Sequence, residues 1–204
     1  MDVSRETAAA VFGAALGRAE RYADLLATEG VARGLLGPRE ADRLWSRHLV
    51  NSAVVAEGCP AEGLVADIGS GAGLPGIPVA LVRPSLAVRL VEPLLRRATF
   101  LTEVVADLGL TNVEVVRARA EESRWTADAV TARAVAPLSR LLPWCLPLVA
   151  SGGSLLAVKG DRAAAELADA DALLRRSGAA SWAVEEYGRG VVEPPVRVVR
   201  VRVR

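Results

Sequence analysis

The sequence predicts an α/β fold: a mostly parallel β-sheet covered by helices on both faces, closing with an antiparallel hairpin. Three observations predict it. From Leu64 onward, short apolar runs bounded by turn residues alternate with helical patterns, which specifies parallel strands joined by crossover helices. The first run, 64–68, passes directly into Gly69-Ser70-Gly71-Ala72-Gly73, a glycine-rich turn that opens a helix. The last two runs, 181–186 and 196–203, follow each other with no helix between them, so they form a hairpin that reverses one strand.

Each element has a local reason. Residues 4–29 read as one helix, because Ala8, Phe12, Ala15, Ala19, Tyr22, Ala23 and Leu26 fall on one stripe while Arg5, Arg18, Glu20 and Arg21 lie off it. Gly30, Gly34, Gly37 and Pro38 make 29–38 a loop. Residues 39–57 look helical again, interrupted near His48, and Gly58-Cys59-Pro60 ends them. A helical appendage over 1–60 therefore precedes an α/β domain over 61–204. The helix after the glycine turn runs to about Val82, with Pro75 and Pro78 in its early turns, where an N–H would lack a partner anyway. Strand two is 87–91, and its helix runs from Pro93 to Leu108, stopped by Gly109. Strands three, four and five are 113–116, 129–132 and 154–158, with helices over 138–149 and 161–176. The last strand alternates valine with Arg197, Arg200 and Arg202, the pattern of a half-buried edge strand with charges outward. Seven strands ending in such a hairpin resemble the class I S-adenosylmethionine-dependent methyltransferase sheet more than a two-halved dinucleotide fold.

Bulk properties narrow the function. The 204 residues, 51% of them hydrophobic, suffice for one sizeable core. No apolar run reaches membrane-spanning length and the charged N-terminus lacks an apolar signal region, so a cytoplasmic protein is expected. Cys59 and Cys145 stand far apart in no ligand-spaced cluster, which predicts no structural zinc, no disulfide and two packing thiols. A net charge of +1 means that any nucleic-acid surface must be a local patch.

Ligands of such sheets bind at the carboxyl ends of the strands. After strand one, two glycine frames compete. Gly71, Gly73 and Gly76 fit a dinucleotide pattern, whereas Asp67-x-Gly69-x-Gly71-x-Gly73 puts a carboxylate before the glycines. That carboxylate would repel a pyrophosphate and suits the cationic amino end of S-adenosylmethionine, so the second frame is favoured. Strand two ends at Glu92, about 20 residues past the loop, where a carboxylate accepts both ribose hydroxyls. Ala120 and Glu121 follow strand three, placed to border an adenine. Arg119, Arg133 and Lys159 come after three successive strands and make a cationic rim suited to phosphates or the O6/N7 edge of guanine. No Asn/Asp-Pro-Pro-Tyr follows strand four and no Pro-Cys pair exists, which disfavours amine and C5 methylation. The single histidine, His48, has no triad or metal motif around it. Two other classes compete with a nucleic-acid enzyme: a methyltransferase for a small metabolite, and a non-enzymatic nucleotide- or RNA-binding module.

The segment from Asp67 to Pro78, DIGSGAGLPGIP, resembles the signature of the RsmG (GidB) family, bacterial methyltransferases of small-subunit ribosomal RNA. Further matches occur in order: Arg47-His48-Leu49 with Asn51-Ser52, Val91-Glu92-Pro93 with Arg96-Arg97, Arg119-Ala120-Glu121-Glu122, Arg133-Ala134-Val135-Ala136 and Lys159-Gly160. The resemblance covers about residues 5–204. It implies methyl transfer from S-adenosylmethionine to N7 of one guanine in the decoding region of 16S ribosomal RNA. The route needs no general base, no metal and no membrane, and a monomer is the default. The resemblance also implies cofactor contacts from Gly69, Leu74, Ala120, Glu121 and Arg133, beside the Asp67, Gly71, Gly73 and Glu92 read from the residues. Glu92 stands where the family usually has Asp, and Arg96 where Lys is usual. In this reading Arg119, Arg133 and Lys159 position the substrate, and Arg47, His48, Arg119 and Lys159 contact RNA.

Overall fold

The structure, a computed structural model, describes residues 2–204. The chain opens with α1 (Arg5–Phe12) and α2 (Leu16–Leu25), separated at Gly13, whose φ of 51° breaks what the periodicity predicts as one helix. Ser4 caps α1 by accepting from the Thr7 N–H. The predicted helix over 39–57 is instead a succession of short turns: a 3-10 turn (Pro38–Arg43), a π-helical turn (Leu44–Val50), α3 (Asn51–Ala53) and a second 3-10 turn (Val54–Gly58).

The sheet follows: β1 (Gly63–Ile68), α4 (Gly76–Val82), β2 (Leu86–Val91), α5 (Leu95–Asp107), β3 (Val113–Val116), β4 (Ala127–Arg133), α6 (Leu138–Cys145), β5 (Val149–Lys159), α7 (Ala163–Ser177), β6 (Ala179–Tyr187) and β7 (Val196–Val203). The seven strands lie in the order β3-β2-β1-β4-β5-β7-β6. All neighbours from β3 to β5 are parallel, and β7 is antiparallel to both β5 and β6. The expectation of an edge for the last strand is corrected here. β7 inserts between β5 and β6, with Val199 and Val201 fully buried, and β6 takes the edge. A ladder satisfied on both sides and valines buried in the core outweigh the exposure its arginines would otherwise gain.

Two cores flank the sheet. On one face Val65, Val88, Leu90 and Val198 pack against α4, α5 and the helices preceding β1, contributing Phe12, Tyr22, Leu26, Leu49 and Val55. On the other, Ala66, Ile68, Val130, Leu155 and Val199 pack against α6 and α7 through Leu138, Leu142 and Leu174. The helical segment before β1 thus shares its core with the sheet across the junction near residue 60. Gly76 fits where it does because α4 lies so close to the sheet: a Cβ there would press into the Leu90 side chain and stand 2.9 Å from the Asp67 carboxylate.

Candidate active site

The crossing from β1 to β4 in the strand order, where the two crossover directions diverge, places the ends of these strands at the topological switch point. The glycine loop sits there. Gly69 and Ser70 donate to the Val91 carbonyl, tying the loop to the end of β2. Gly71 adopts φ 58° and a Cβ there would meet nothing closer than the Gly69 carbonyl at 3.8 Å, so its surface is open to a ligand. Below the loop, Asp67 is 0% exposed. One of its oxygens accepts from Thr131 Oγ1 at 2.8 Å and the other from the Gly76 N–H at 3.2 Å. Burial pushes its carboxyl up to about 6, against the lowering pull of those hydrogen bonds and of Arg133. This corrects the expectation that Asp67 meets a cationic ligand directly. Its carboxylate is spent on anchoring β1 to β4 and to the start of α4, under the loop rather than on it.

Glu92 is the carboxylate that faces the loop. Only 2% exposed, it accepts from the Gly71 N–H and from the Leu94 N–H, each at 3.0 Å, with Arg97 Nη1 3.9 Å away. Each oxygen retains a further lone pair, so the group can accept from a diol while still bracing the loop. Leu94 and Leu95, 54% and 60% exposed, present apolar surface beside it. After β3, Ala120 is buried while Arg119, Glu121 and Glu122 are exposed on a 3-10 turn (Ala120–Glu122).

Beyond β4 the character changes. A cleft of about 790 Å³ is walled by Arg47 and Asn51 from the helical segment, Arg133 and Val135 from the end of β4, Lys159 from the end of β5, and Glu193 from the β6–β7 loop. Arg133 is pinned: Nη1 donates to Ser52 Oγ at 2.8 Å, and Nη2 to the Arg47 carbonyl at 2.9 Å and to His48 Nδ1 at 3.1 Å. Lys159 is neutralised rather than free. Its ammonium sits 2.9 Å from Glu166 and donates to the Ala136 carbonyl at 2.7 Å, with the side chain 9% exposed. Ala134, between these groups, holds φ 55°, a left-handed conformation unusual for a residue with a Cβ.

The fold agrees with that of proteins this chain is similar to. The model of the rRNA small subunit methyltransferase G family matches residues 16–192. The chain belongs to this family. Its relatives include the ribosomal RNA small subunit methyltransferase G of Thermobifida fusca, 55% identical over 98% of this chain and 86% of that one. The protein of the same name from Streptomyces avermitilis is 55% identical over 97% of this chain and 84% of its own. Among solved structures, the mitomycin 7-O-methyltransferase MmcR shares the fold with a TM-score of 0.64 at 20% identity, over 90% of this chain and 60% of that one. A putative S-adenosyl-L-methionine-dependent methyltransferase from Methanococcus maripaludis shares it with a TM-score of 0.61 at 15% identity, over 91% of each chain. The class I methyltransferase architecture expected from the sequence is therefore the one observed.

Within this family member, the structure gathers the sequence-predicted residues into two adjoining places. Gly69, Gly71, Gly73, Leu74, Glu92, Ala120 and Glu121 belong to the ends of β1 to β3 and the turns after them. Arg47, Arg133 and Lys159 line the cleft, whereas His48 lies behind its wall, 8% exposed. Sequence reasoning missed Tyr22, assigned only to a packing stripe: its buried hydroxyl donates to the Ala72 carbonyl at 2.7 Å and so ties α2 to the glycine loop. It also missed Thr131 and Glu166, whose roles depend on a partner 64 residues away for one and on an ion pair for the other. The thiols of Cys59 and Cys145 are both pushed up to about 12 by burial, in keeping with packing roles.

Proposed function

We propose that this chain transfers the methyl group of S-adenosylmethionine to N7 of one guanine in the decoding region of 16S ribosomal RNA, as a monomer in the cytoplasm and with no metal. The observation that carries the reading is the adjacency of two unlike places: a glycine loop braced by Glu92, and a large cleft whose walls are cationic at Arg47 and Arg133. The residues fit the cofactor. Glu92 would take the ribose diol, the open backbone at Gly71 would lie against the methionine part, and Leu94 would cover one side of the adenine. Asp67 supports them from beneath. The bound cofactor supplies an electrophilic methyl group on a sulfonium.

N7 suits the cleft because its lone pair lies in the ring plane and needs no proton removed. The protein's task is then orientation rather than base catalysis. Of the carboxylates that line the cleft, Glu166 is bound to Lys159 and Asp161 to Arg197, while Glu193 has no ion-pair partner among the described residues; in-plane attack by N7 asks none of them to take a proton. Methylation makes the purine cationic, so the guanidinium groups serve best toward phosphates and O6 and away from N7. Exposed Arg96, Arg117 and Arg119 have no carboxylate ion-pair partner among the described residues and offer phosphate contacts beside the cofactor mouth.

The test is transfer of a labelled methyl group to bare 16S RNA and to 30S particles, with the label mapped by mass and by the aniline-induced strand cleavage that N7-methylguanosine undergoes. One labelled guanine is expected. Label on an exocyclic amine or a ribose, or none in any RNA, would overturn the reading. Gly71→Ala places a methyl on the open face of the loop, and is expected to lower transfer while costing about 1 kcal/mol of stability for its left-handed backbone.

A further inference from the structure

We infer that His48 is a positioning residue rather than an RNA contact: as the neutral Nε2–H tautomer it holds the guanidinium of Arg133 and so sets one wall of the acceptor cleft. The inference rests on the proposed function only for the nature of the acceptor.

The tautomer follows from donor counting. A guanidinium can only donate. Arg133 Nη2 lies 3.1 Å from His48 Nδ1, so Nδ1 must accept and the ring proton must sit on Nε2. Nε2 in turn lies 2.7 Å from Glu40 Oε2, the acceptor that such an N–H requires. The ring therefore bridges a carboxylate and a guanidinium in one orientation and one protonation state.

What the ring holds decides what it does. The Arg133 guanidinium takes all its observed partners from residues 47–52: the Arg47 and His48 carbonyls, Ser52 Oγ and the imidazole. It locks the π-helical turn Leu44–Val50 and α3 onto the end of β4. Wide π-helical turns recur at functional sites, and this one supplies Ser46, Arg47 and Val50 to the cleft. The ring itself is buried and reaches none of that surface. Displacing it removes the one side-chain acceptor on Nη2 and loosens the guanidinium, which keeps Ser52 Oγ and the two carbonyls, and with it this part of the wall.

An imidazolium would turn Nδ1 into a donor facing a donor, and a cation facing a cation. Burial and the Arg133 charge oppose that form and hold the ring below the usual histidine range, while Glu40 pulls the other way. The charged and titratable groups around the ring are Glu40 and Arg47 on its own segment and Arg133 on β4, with Tyr22 of α2 and Asp67 of β1 behind Arg133. Asp67 titrates near 6 for its own reason, so an acid limb in the wild type alone does not identify the histidine.

His48 is the only histidine in the chain, so its ring nitrogens can be read without ambiguity by ¹⁵N NMR. At pH 7 an unprotonated Nδ1 and a protonated Nε2 are expected. A dominant Nδ1–H tautomer or imidazolium would overturn the assignment, whatever the enzyme methylates. Kinetics then test the consequence. His48→Gln loses the acceptor at the Nδ1 place, and KM for the RNA should rise roughly tenfold or more, the equilibrium worth of a hydrogen bond to a charged group, with a smaller change in cofactor Kd. His48→Asn carries an oxygen near that place, should recover most of the loss, and should lack the histidine part of the acid limb in the RNA KM. Equal losses in both variants would overturn the positioning role. If a variant does not fold, the ring shifts of the wild-type protein decide alone. Wild-type protein that transfers no methyl to RNA would instead count against the proposed function and leave the tautomer result standing.

Discussion

Asp67 shows how a residue's place in the sequence can be legible while its surroundings are not. Its position before the glycines is visible in the sequence, but its carboxylate lies buried beneath the loop, bound to Thr131 and Gly76. Burial raises its folded value to about 6 from an ordinary 3.8, so between these values the folded chain holds a proton that the unfolded chain releases. The stability this group contributes is complete below the unfolded value and is lost as pH rises through about 6. Asp67→Asn can keep both hydrogen bonds, its amide oxygen accepting from Gly76 and its amide nitrogen donating to Thr131. Urea unfolding of the variant is expected to depend less on pH across this window and to show equal or greater stability near neutrality. A variant that melts as the wild type does at every pH would contradict the buried-carboxyl account.

At the scale of elements, the site depends on ties between segments that are distant in sequence. Tyr22 binds α2 to the glycine loop, Arg133 binds β4 to the segment 44–53, and Lys159 binds β5 to α7 and to the turn at 134–138. The last tie alters what a mutation at Lys159 should do. Glu166 receives both the ammonium and the Leu138 N–H, so Lys159→Ala leaves a partly buried carboxylate half satisfied and the Ala136 carbonyl without its donor. A stability loss of about 3 kcal/mol is expected, together with weaker RNA methylation. Denaturation midpoints and KM measured on the same preparation check it. Loss of RNA methylation at an unchanged midpoint would mean that the lysine meets RNA rather than holding the fold.

For the whole molecule, charge placement matters more than its sum. The net charge of +1 gives no long-range pull toward RNA. Many arginines are already paired, among them Arg5 with Glu20, Arg21 with Asp107, Arg33 with Glu29 and Glu103, and Arg89 with Glu114. The exposed Arg117 and Arg119, on the turn leaving β3, carry no such partner among the described residues. Replacing both by alanine should reduce the slope of log affinity for RNA against log salt by about 0.7 for each phosphate that the two guanidinium groups neutralise. An unchanged slope would place the RNA on another face.

How much was legible in the sequence differs between the two halves of the site. Strand–helix alternation, the glycine turn and the acid ending β2 are local signals, written within a few residues of one another, and they yielded the sheet, the loop and the position of Glu92, although β5 begins at Val149 rather than 154 and α6 stops at Cys145 rather than 149. Family membership was equally legible, because DIGSGAGLPGIP and the matches after it are contiguous motifs. The acceptor half was legible only as a list of cations. Whether a cation is free or paired depends on what the chain brings beside it, and Lys159 met Glu166 while Arg133 met Ser52 and His48. The same holds for the last strand, whose alternation cannot say how many neighbours it has; pairing on both sides moved it from the edge to the interior. Residue types and short spacings thus determined by themselves the fold class, the family and the loop, since backbone conformation and side-chain period are local. Tertiary structure alone decided burial, ion pairing and the histidine tautomer, since these are set by neighbours that only the folded chain assembles.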